Sequence, residues 1–411
     1  MAIRTCLSKK YIFILWLLLS TIAMLGARGC GSVNVFPAEQ AVLLQTSLNN
    51  SRATMNFPGG LLGVRLVNGP TWTGASGVAN FSPVAAAETG SLLADALSSI
   101  LISSAWAGTV GTPINSNLYT RIGSLTKTYT ATLILLLAEE GKLTLEDTVD
   151  DWMGAGYYPN SNIATIRQLL NMTAGFTSYT EIDAFNNQRF ATPEKEFLPE
   201  ELVSYARSSA TPNKFAPGTK FNYSNTNFVI LGLIAQKAGN DSYKNLIENK
   251  ILTPLNLSRT SVPAGDDRTI PKNYVSGFQE DDGAWEDLTS YSPSIGFSAG
   301  NMISTVTNML DWIQAINESQ LLTEYSTHQM MDYGPMTGSG PWDGSEPGYG
   351  LGISYIKGAV GHDGEINGYR LSAYKYKDYY FAVVINGVSD TTSSSDVFWN
   401  AVRALYPDDD V

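Results

Sequence analysis

The segment from residue 124 to residue 140 constrains the fold more than any other part of the sequence. Residues 133–137 are all leucine or isoleucine, and Gly141 follows as a residue that commonly ends a helix. A helix that is apolar nearly all round has no face for water, so we expect it to be buried between layers. The 411 residues are enough for the core that this requires, as one large or two ordinary domains.

A serine and a lysine stand three residues apart at the start of this helix. Ser124 has no histidine or acid beside it in the sequence, and Lys127 is the candidate base. Positions i and i+3 of a helix share a face, and burial can lower the pKa of a lysine until its amine is a useful base. The unpaired N–H groups of the first turn can hold an anion. One turn can therefore supply a nucleophile, a base and part of an oxyanion hole.

The Ser-x-x-Lys spacing does not decide this function alone. A second copy, Ser372 and Lys375, lies in an alternating run over residues 370–384 that is typical of a strand. In a strand these two positions point to opposite faces, so the second copy is an internal control. Chance, or a helix cap at Ser124, is the alternative interpretation, and partners elsewhere in the chain must decide.

The remaining pattern predicts an α/β fold of the α+β type. The predicted helices cover residues 37–52, 225–238, 242–252, 305–316 and 393–405, and the predicted strands cover residues 60–67, 71–79, 349–356, 370–376 and 380–386. We expect an antiparallel sheet with the N- and C-terminal helices on one face and an inserted all-α lobe. The mature domain would span residues 33–411, with a sheet lobe of about residues 33–149 and 263–411 and a helical lobe of about residues 150–262.

Several shorter segments give more local expectations. Thr144 is predicted to open a short helix with an acidic first turn, and residues 165–172 are predicted to form another. Residues 83–116 are rich in Ala, Ser and Gly and have few charges. They are predicted to be an insertion or mobile loop with a short helix around residues 91–103.

Two further segments contain candidate site residues. Tyr223 precedes a strongly predicted helix, and Asn225 is the first residue of that helix. A tyrosine near a lysine can stay deprotonated or share its proton, and an asparagine can bind a substrate amide or carbonyl. The alternative is an ordinary helix N-cap with a packing tyrosine.

The second segment is glycine-rich and runs from residue 361 to residue 369. It contains His362 and Gly364 and leads toward a strand, so backbone can approach a ligand closely there. The N–H of Glu365 is a candidate second oxyanion donor, beside an edge that an extended substrate could pair with. The alternative is a glycine-rich hairpin with a surface histidine.

A competing hydrolase motif is also present. Residues 296–300 read G-x-S-x-G around Ser298, and Asp343 and His362 follow in the order of an α/β-hydrolase triad. That motif requires a hydrophobic strand directly before it, and residues 289–294 are polar and contain a proline. Parallel β-α alternation is also missing, so the sequence disfavours this fold.

Composition excludes several classes of function. The net charge of -12 and the lack of a basic stripe argue against nucleic-acid binding. Only two histidines and two cysteines are present, which argues against a zinc site built from them, and no cofactor is implied.

Residues 1–30 combine a basic start with an apolar stretch too short for a spanning helix, which predicts a signal peptide or lipoprotein signal. We therefore expect an exported protein, periplasmic or extracellular, whose contact with a membrane is confined to this N-terminal segment, with lipidation of Cys30 left open.

The three motifs S-L-T-K at 124–127, Y-S-N at 223–225 and H-D-G at 362–364 occur in this order at wide spacing. Together they resemble the penicillin-recognising serine hydrolases, which include class C β-lactamases, D-Ala-D-Ala carboxypeptidases and related esterases. The resemblance covers about residues 36–406 and also includes residues 166–176 and 349–352. It implies the two-lobed fold described above.

The resemblance also implies roles for individual residues. Ser124 would be acylated, and Lys127 and Tyr223 would transfer protons. Asn225 would contact the acyl side of the substrate, while His362 stands where β-lactamases have a lysine, as in the carboxypeptidase and esterase branches. The N–H groups of Ser124 and Glu365 would form the oxyanion hole; these last two are backbone roles.

The resemblance leaves the substrate open. Carboxypeptidase relatives often hold a terminal carboxylate with an arginine on the strand before H-x-G, and residues 352–357 contain none, although Lys357 or Arg370 could substitute. The expected activity is hydrolysis of a D-alanyl peptide, a β-lactam or a related small-molecule amide or ester. The alternatives are a short-chain carboxylesterase and a binding sensor for β-lactams or muropeptides that does not turn over. The sequence does not indicate an oligomeric state.

Overall fold

The computed structural model describes residues 35–81, 111–265, 267–336, 344 and 347–411. The predicted signal segment and the predicted short helix around residues 91–103 lie outside these residues. Residues Phe36–Val411 form one compact unit. Within the described ranges, no helix is both long enough and apolar enough to cross a bilayer.

Most of the strands lie in the first and last thirds of this unit. The strands are β1 (Gly59–Leu66), β2 (Thr71–Phe81), β3 (Gly111–Pro113), β4 (Thr120–Arg121), β5 (Phe278–Asp281), β6 (Ala284–Asp287), β7 (Ile303–Ser304), β8 (Gly334–Pro335), β9 (Gly348–Tyr349), β10 (Ser354–Ile356), β11 (Ala359–Ile366), β12 (Tyr369–Tyr376), β13 (Tyr379–Ile385) and β14 (Gly387–Val388). In the described part of the chain, the main sheet has the order β3-β2-β1-β13-β12-β11-β10-β9-β8. Neighbouring strands in this sheet pair antiparallel throughout, and a strand from the first third of the unit meets one from the last third at the β1–β13 contact.

Helices fill the middle of the unit Phe36–Val411 and lie near both of its ends. The helices are α1 (Ala38–Met55), α2 (Thr126–Glu139), α3 (Val149–Met153), α4 (Ile166–Leu170), α5 (Asp183–Ala191), α6 (Pro199–Arg207), α7 (Asn225–Gly239), α8 (Tyr243–Ile247), α9 (Phe297–Gly300), α10 (Val306–Asn317), α11 (Glu324–Met330) and α12 (Ser394–Leu405). Short 3₁₀ turns lie at Gly123–Leu125, Tyr179–Glu181 and Pro293–Ile295, and a π turn at Glu248–Leu252 continues α8.

The main sheet is covered on both faces, which explains why its central strands are apolar without alternation. In β13, Phe381 and Val383 pack with residues of α1 and α12. The intervening Ala382 and Val384 face the opposite way and pack with residues of α2, α7 and α10. The predicted fold class, an antiparallel sheet flanked by helices with the two terminal helices on one face, is confirmed.

Helix α2 occupies the predicted position between layers. Residues 126–135 are all buried. Tyr129 stacks on Trp312 of α10 with ring centroids 3.8 Å apart, and the indole N–H of Trp312 donates to Thr128 Oγ1 at 2.7 Å. The helix that opens the site is therefore held by α10, which itself packs on the sheet.

Three local expectations are wrong for identifiable reasons. Residues 349–356 form two antiparallel strands, β9 and β10, because Gly352 adopts a positive φ of 73° and the N–H of Gly350 donates to Ile353 O at 2.8 Å. The acidic helix begins after Thr148, whose side chain and Asp151 form a capping box, and does not begin at Thr144. The hydrophobic residues Ala41, Leu43, Leu44 and Leu48 predict the apolar face of α1, but Leu43 is 44% exposed, because neighbouring positions of a helix lie about 100° apart and Leu44 and Leu48 take the buried side.

The glycine-rich segment 361–369 is mainly strand, where a turn leading into a strand was expected. Residues 361–366 belong to β11, and the turn to β12 is confined to Asn367 and Gly368. Strand β10 pairs only with residues 359–361 of β11, so the second half of β11 has β12 on one side and no strand on the other. That open edge lies against the 3₁₀ turn that contains Ser124.

Candidate active site

Ser124 lies in the 3₁₀ turn Gly123–Leu125, directly before the first residue of α2. The turn closes through the N–H of Leu125, which donates to Ile122 O at 3.2 Å. Gly123 has a φ of +47°, a conformation that favours glycine. The tight turn places Ser124, half-buried, at the junction of two cavities.

Lys127 is fully buried and its amine has three acceptors. Nζ donates to Ser124 Oγ at 2.9 Å, to Asn225 Oδ1 at 2.7 Å and to Ala299 O at 2.8 Å. All three acceptors are neutral oxygen atoms, so none of them compensates a positive charge. Burial accordingly lowers the pKa of Lys127 well below that of a free lysine. The lowered pKa favours loss of one proton, which leaves two N–H groups for Asn225 and Ala299 and a lone pair that can accept the hydroxyl proton of Ser124, as a general base requires.

Tyr223 lies on the other side of the same amine. Lys127 Nζ is 4.9 Å from the centroid of its ring. Burial raises the pKa of Tyr223 above that of a free tyrosine; a hydrogen bond with Ser124 opposes this shift, and the carboxylate of Asp363 adds to it. The phenol is therefore protonated at neutral pH, which suits a proton donor to a leaving group and disfavours the deprotonated form, one of the two alternatives that the sequence left open.

Asn225 is the first residue of α7, and both ends of its amide are occupied. Oδ1 accepts from Lys127, and Nδ2 donates to Thr180 Oγ1 at 3.1 Å. Ser224 occupies the N-cap position, but its side chain does not cap the helix. The arrangement makes Asn225 a positioning group for the Lys127 amine. Asn225 also lines one of the two cavities at Ser124, and its contact with substrate stays a prediction.

His362 is buried at 5% exposure, so the surface-histidine interpretation is wrong. Its Nε2 is 3.0 Å from the hydroxyl of Tyr349, and its Nδ1 is 2.5 Å from Asp363 O. Burial, with a smaller effect from Lys127, lowers the pKa of His362 to about 3, against a partial opposing effect of the backbone contact. The imidazole is therefore neutral at physiological pH.

Asp363 is a site residue that the sequence did not single out. Its Oδ1 accepts from Ser372 Oγ at 2.5 Å, and Ser372 Oγ is also 3.0 Å from Ser394 Oγ at the start of α12. Burial raises the pKa of this carboxyl group. Ser372, the serine of the second Ser-x-x-Lys copy, thus uses its hydroxyl in these hydrogen bonds. Lys375, the lysine of that copy, lies on the opposite face of β12, as strand geometry requires.

Gly364 allows β11 to pass directly over the Ser124 turn. A Cβ atom on Gly364 would lie 2.3 Å from Ile122 O and 3.2 Å from Ser124 N. A Cβ atom on Gly123 would lie 2.6 Å from Glu365 N. The structure therefore brings the backbones of Ser124 and Glu365 together, as a two-donor oxyanion hole requires.

Two cavities flank Ser124. The larger, about 400 Å³, opens on the side of Tyr223, Tyr349 and His362 and reaches Arg370. The smaller, about 110 Å³, opens on the side of Asn225. An acyl-transfer centre needs two such spaces, one for the acyl group and one for the leaving group.

Neither cation proposed to replace the missing arginine is free in the large cavity. Arg370 donates to Glu365 Oε2 at 2.6 Å, to Ser389 O at 2.9 Å and to Thr392 Oγ1 at 3.1 Å. Lys357 is exposed in the turn between β10 and β11 and does not line the cavity. Among the described residues that line the larger cavity, no positively charged side chain is therefore free of other partners.

The G-x-S-x-G segment is not a nucleophile elbow. Ser298 is fully buried in α9, its Oγ donates to Phe228 O at 2.8 Å, and a Cβ atom on Gly232 would lie 2.1 Å from that Oγ. Asp343 lies outside the described residues. The segment has another use, because the next residue is Ala299, whose carbonyl accepts from Lys127. No metal-binding group of three or more His, Cys, Asp or Glu occurs within the described ranges.

Fold and site together define an acyl-transfer serine hydrolase, and sequence comparison agrees. The family model described as Beta-lactamase matches residues 74–405, which is most of the chain. The chain belongs to this family, whose β-lactamase and penicillin-binding-protein branches share one fold.

Curated relatives include a penicillin-binding protein and a protein named flp. Penicillin-binding protein 4* of Bacillus subtilis (strain 168) is 33% identical over 150 residues, which are 36% of this chain and 32% of that protein. Protein flp of Staphylococcus aureus (strain N315) is 36% identical over 146 residues, 34% of this chain and 27% of that protein. The chain thus aligns with about a third or less of the length of these two relatives.

Solved structures match over nearly the whole chain. A D-stereospecific amidohydrolase from Streptomyces sp. is 27% identical with a TM-score of 0.72, covering 89% of this chain and 98% of that one. The D-amino acid amidase of Ochrobactrum anthropi SV3 has a TM-score of 0.71 at 19% identity, covering 90% of this chain and 99% of that one, and supports the fold alone.

Proposed function

We propose that this chain hydrolyses amides or esters of D-amino-acid type through an acyl-enzyme at Ser124. The observation that carries the proposal is the 2.9 Å contact between Ser124 Oγ and the fully buried amine of Lys127. A nucleophile paired with an amine whose pKa is lowered by burial is the arrangement that general-base activation of serine requires.

The catalytic cycle follows from the contacts. Lys127 removes the proton from Ser124 Oγ as the oxygen attacks the substrate carbonyl. The oxyanion forms between the N–H groups of Ser124 and Glu365. Tyr223, which is protonated, gives its proton to the leaving group, and the proton held by Lys127 restores the phenol. Water then attacks the acyl-enzyme by the reverse sequence, releasing the acid and regenerating Ser124.

A D-alanyl peptide or a related amide is the substrate class that we favour. The similarity to a D-stereospecific amidohydrolase over 89% of the chain supports amide hydrolysis. The curated penicillin-binding relatives support a peptide or β-lactam as ligand. The basic and apolar pattern of residues 1–30 supports export of the enzyme.

Esterase activity is the second candidate, and one observation favours it. The residues lining the larger cavity include no uncommitted cation, since Arg370 is paired with Glu365. A leaving group with a free carboxylate, such as a terminal D-alanine, therefore has no ready ion partner there. An uncharged leaving group, as in an alkyl ester or a primary amide, does not need an ion partner in this cavity.

One panel of substrates tests the proposal. We would measure release of D-alanine from a D-Ala-D-Ala peptide, release of ammonia from a D-amino acid amide, hydrolysis of nitrocefin and hydrolysis of p-nitrophenyl butyrate. We expect turnover of at least one amide or ester by the wild type and none by Ser124→Ala. Full activity of Ser124→Ala would overturn the assignment of the nucleophile, and rapid ester hydrolysis without amide cleavage would select the esterase alternative.

A further inference from the structure

The small cavity beside Ser124 is lined by an arginine that forms no ion pair with any carboxylate in the described ranges, although Glu365 lines the same cavity. Arg189 lies on α5, is half-buried and lines the cavity together with Ser124 and Asn225. Its Nε atom is fully buried and has no hydrogen-bond partner among the described residues. Its guanidinium rests on the ring of Phe190, with 4.3 Å between them.

The groups around Arg189 are already engaged with other partners. Glu365, an acid whose charge acts on Arg189, forms an ion pair with Arg370 at 2.6 Å. The hydroxyl of Tyr291 donates to Glu286 Oε1 at 2.8 Å. The hydroxyl of Tyr179 donates to Ile295 O. Within the described ranges, no carboxylate forms an ion pair with Arg189.

A partly buried guanidinium without an ion-pair partner destabilises the folded protein. Burial accordingly lowers the pKa of Arg189. A buried polar group without a partner calls for an explanation, and a ligand that enters the cavity would supply one. The guanidinium is a planar fork of donors that matches a carboxylate in a bidentate arrangement. The cavity therefore contains the recognition element for an anion, next to the nucleophile.

The position of the cavity identifies which part of a substrate would reach it. Tyr223, the proton donor to the leaving group, lines the larger cavity and not the smaller one. The leaving group therefore occupies the larger cavity, and the acyl group extends past Asn225 into the smaller one. A volume of about 110 Å³ holds only a short chain.

We propose that the small cavity is a binding site for the acyl group and that Arg189 selects acyl groups carrying a carboxylate. This inference rests on the proposed acyl-enzyme function. It predicts that a negative charge a few bonds from the reacting carbonyl raises the rate of acylation, and that a positive charge at the same distance lowers it.

Three esters with one leaving group test the selectivity. The probes are mono-p-nitrophenyl adipate, its methyl ester and p-nitrophenyl 6-aminohexanoate, which carry a negative charge, no charge and a positive charge. We expect kcat/KM of the wild type to be at least tenfold higher for the anion than for the methyl ester, and lowest for the cation. Arg189→Gln should lower the anion-to-neutral ratio about tenfold, and Arg189→Lys should lower it less.

Arg167→Gln is the matched control, because Arg167 pairs with Glu146 at 2.7 Å and lies outside both cavities. This variant should keep the wild-type ratio. A wild-type ratio near one, or a ratio that Arg189→Gln leaves unchanged, would overturn the inference while the proposed hydrolase function stands.

A binding measurement decides the inference when none of the three esters is turned over, and the panel of amide and ester substrates tests the proposed function separately. Calorimetry with adipic acid monomethylamide and its methyl ester would be performed on Ser124→Ala and on Ser124→Ala/Arg189→Gln. The inference requires tighter binding of the acid to the first variant and a loss of that preference in the second. Equal binding of the two ligands to the first variant would overturn it.

Discussion

Replacing Lys127 with methionine removes the amine and keeps an unbranched side chain of similar length. The substitution deletes the contact of 2.9 Å to Ser124 Oγ together with those to Asn225 Oδ1 and Ala299 O. A positioned general base contributes a factor of about 10²–10⁴ to the rate. At about 1.4 kcal/mol per tenfold change, the loss corresponds to about 3–5 kcal/mol of transition-state stabilisation.

Stability should change less than activity in this variant. The oxygens of Asn225 and Ala299 lose their donor, at a cost of about 1–3 kcal/mol each. Removal of a buried amine relieves its desolvation, which acts in the opposite direction. We therefore expect Lys127→Met to fold, which circular dichroism and thermal unfolding would verify before kinetics.

The assay is the second-order rate constant for acylation by a fluorescent penicillin or fluorophosphonate. Lys250→Met is the matched control, because Lys250 forms an exposed ion pair with Glu140 at the end of α2. In the wild type the rate should rise with pH as the Lys127 ammonium loses its proton, with a midpoint below that of a free lysine. A folded Lys127→Met variant that acylates within tenfold of the wild type would refute the role of the base.

Two further predictions concern β11 and its neighbours. Gly364→Ala should lower the acylation rate at least tenfold and destabilise the fold by about 1–3 kcal/mol, because its Cβ atom would lie 2.3 Å from Ile122 O. Gly334→Ala, with no atom within 4 Å of its Cβ atom, is the control, and equal rates for the two variants would contradict the close approach of β11. His362 has a pKa of about 3 in the folded chain against 6.5 as the ordinary value, so the unfolded chain binds the proton first as the pH falls. Wild type should therefore lose about 2–3 kcal/mol more stability than His362→Gln between pH 7 and pH 4.5, as measured by urea unfolding. An identical pH dependence of the two proteins would show that the imidazole is not buried in its neutral form.

Features that depend on local pattern could be predicted from the sequence. The all-round apolar character of residues 124–140 predicts burial, and α2 is buried between the sheet and the helical region. The dipeptide Asn68-Gly69 predicts a hairpin, and β1 and β2 pair across it. The contact between Ser124 and Lys127 follows from helical spacing, because the 3₁₀ turn continues directly into α2.

Features that depend on distant contacts could not be predicted. The carbonyl of Ala299 reaches Lys127 across 172 residues of sequence, and nothing in its own side chain indicates this. Asp363 stands between two motif residues, and its burial becomes apparent only when β12 and α12 are in place. Arg189 belongs to a polar helix without a recognisable motif, so only the folded cavity reveals it.

The local backbone conformation at two glycines also could not be predicted from the sequence. Gly352 turns the chain between β9 and β10 with a positive φ of 73°, and a side chain there would also meet Ala131 of α2, with 2.6 Å between the two Cβ atoms. Gly364 lies within a strand and not in a turn, since its lack of a side chain serves the approach to Ser124. A glycine-rich stretch indicates close backbone approach, but its sequence does not tell which partner approaches.

Intact mass spectrometry of the fluorophosphonate-treated protein tests the central claim most directly. The wild type should gain the mass of one adduct, and peptide mapping should locate it at Ser124. Ser124→Ala should gain none. The control variant Ser298→Ala should gain the same adduct as the wild type, because Ser298 is buried in the core and does not react. An adduct that persists in Ser124→Ala, or that maps to another residue in the wild type, would contradict the assignment of Ser124 as the nucleophile activated by Lys127.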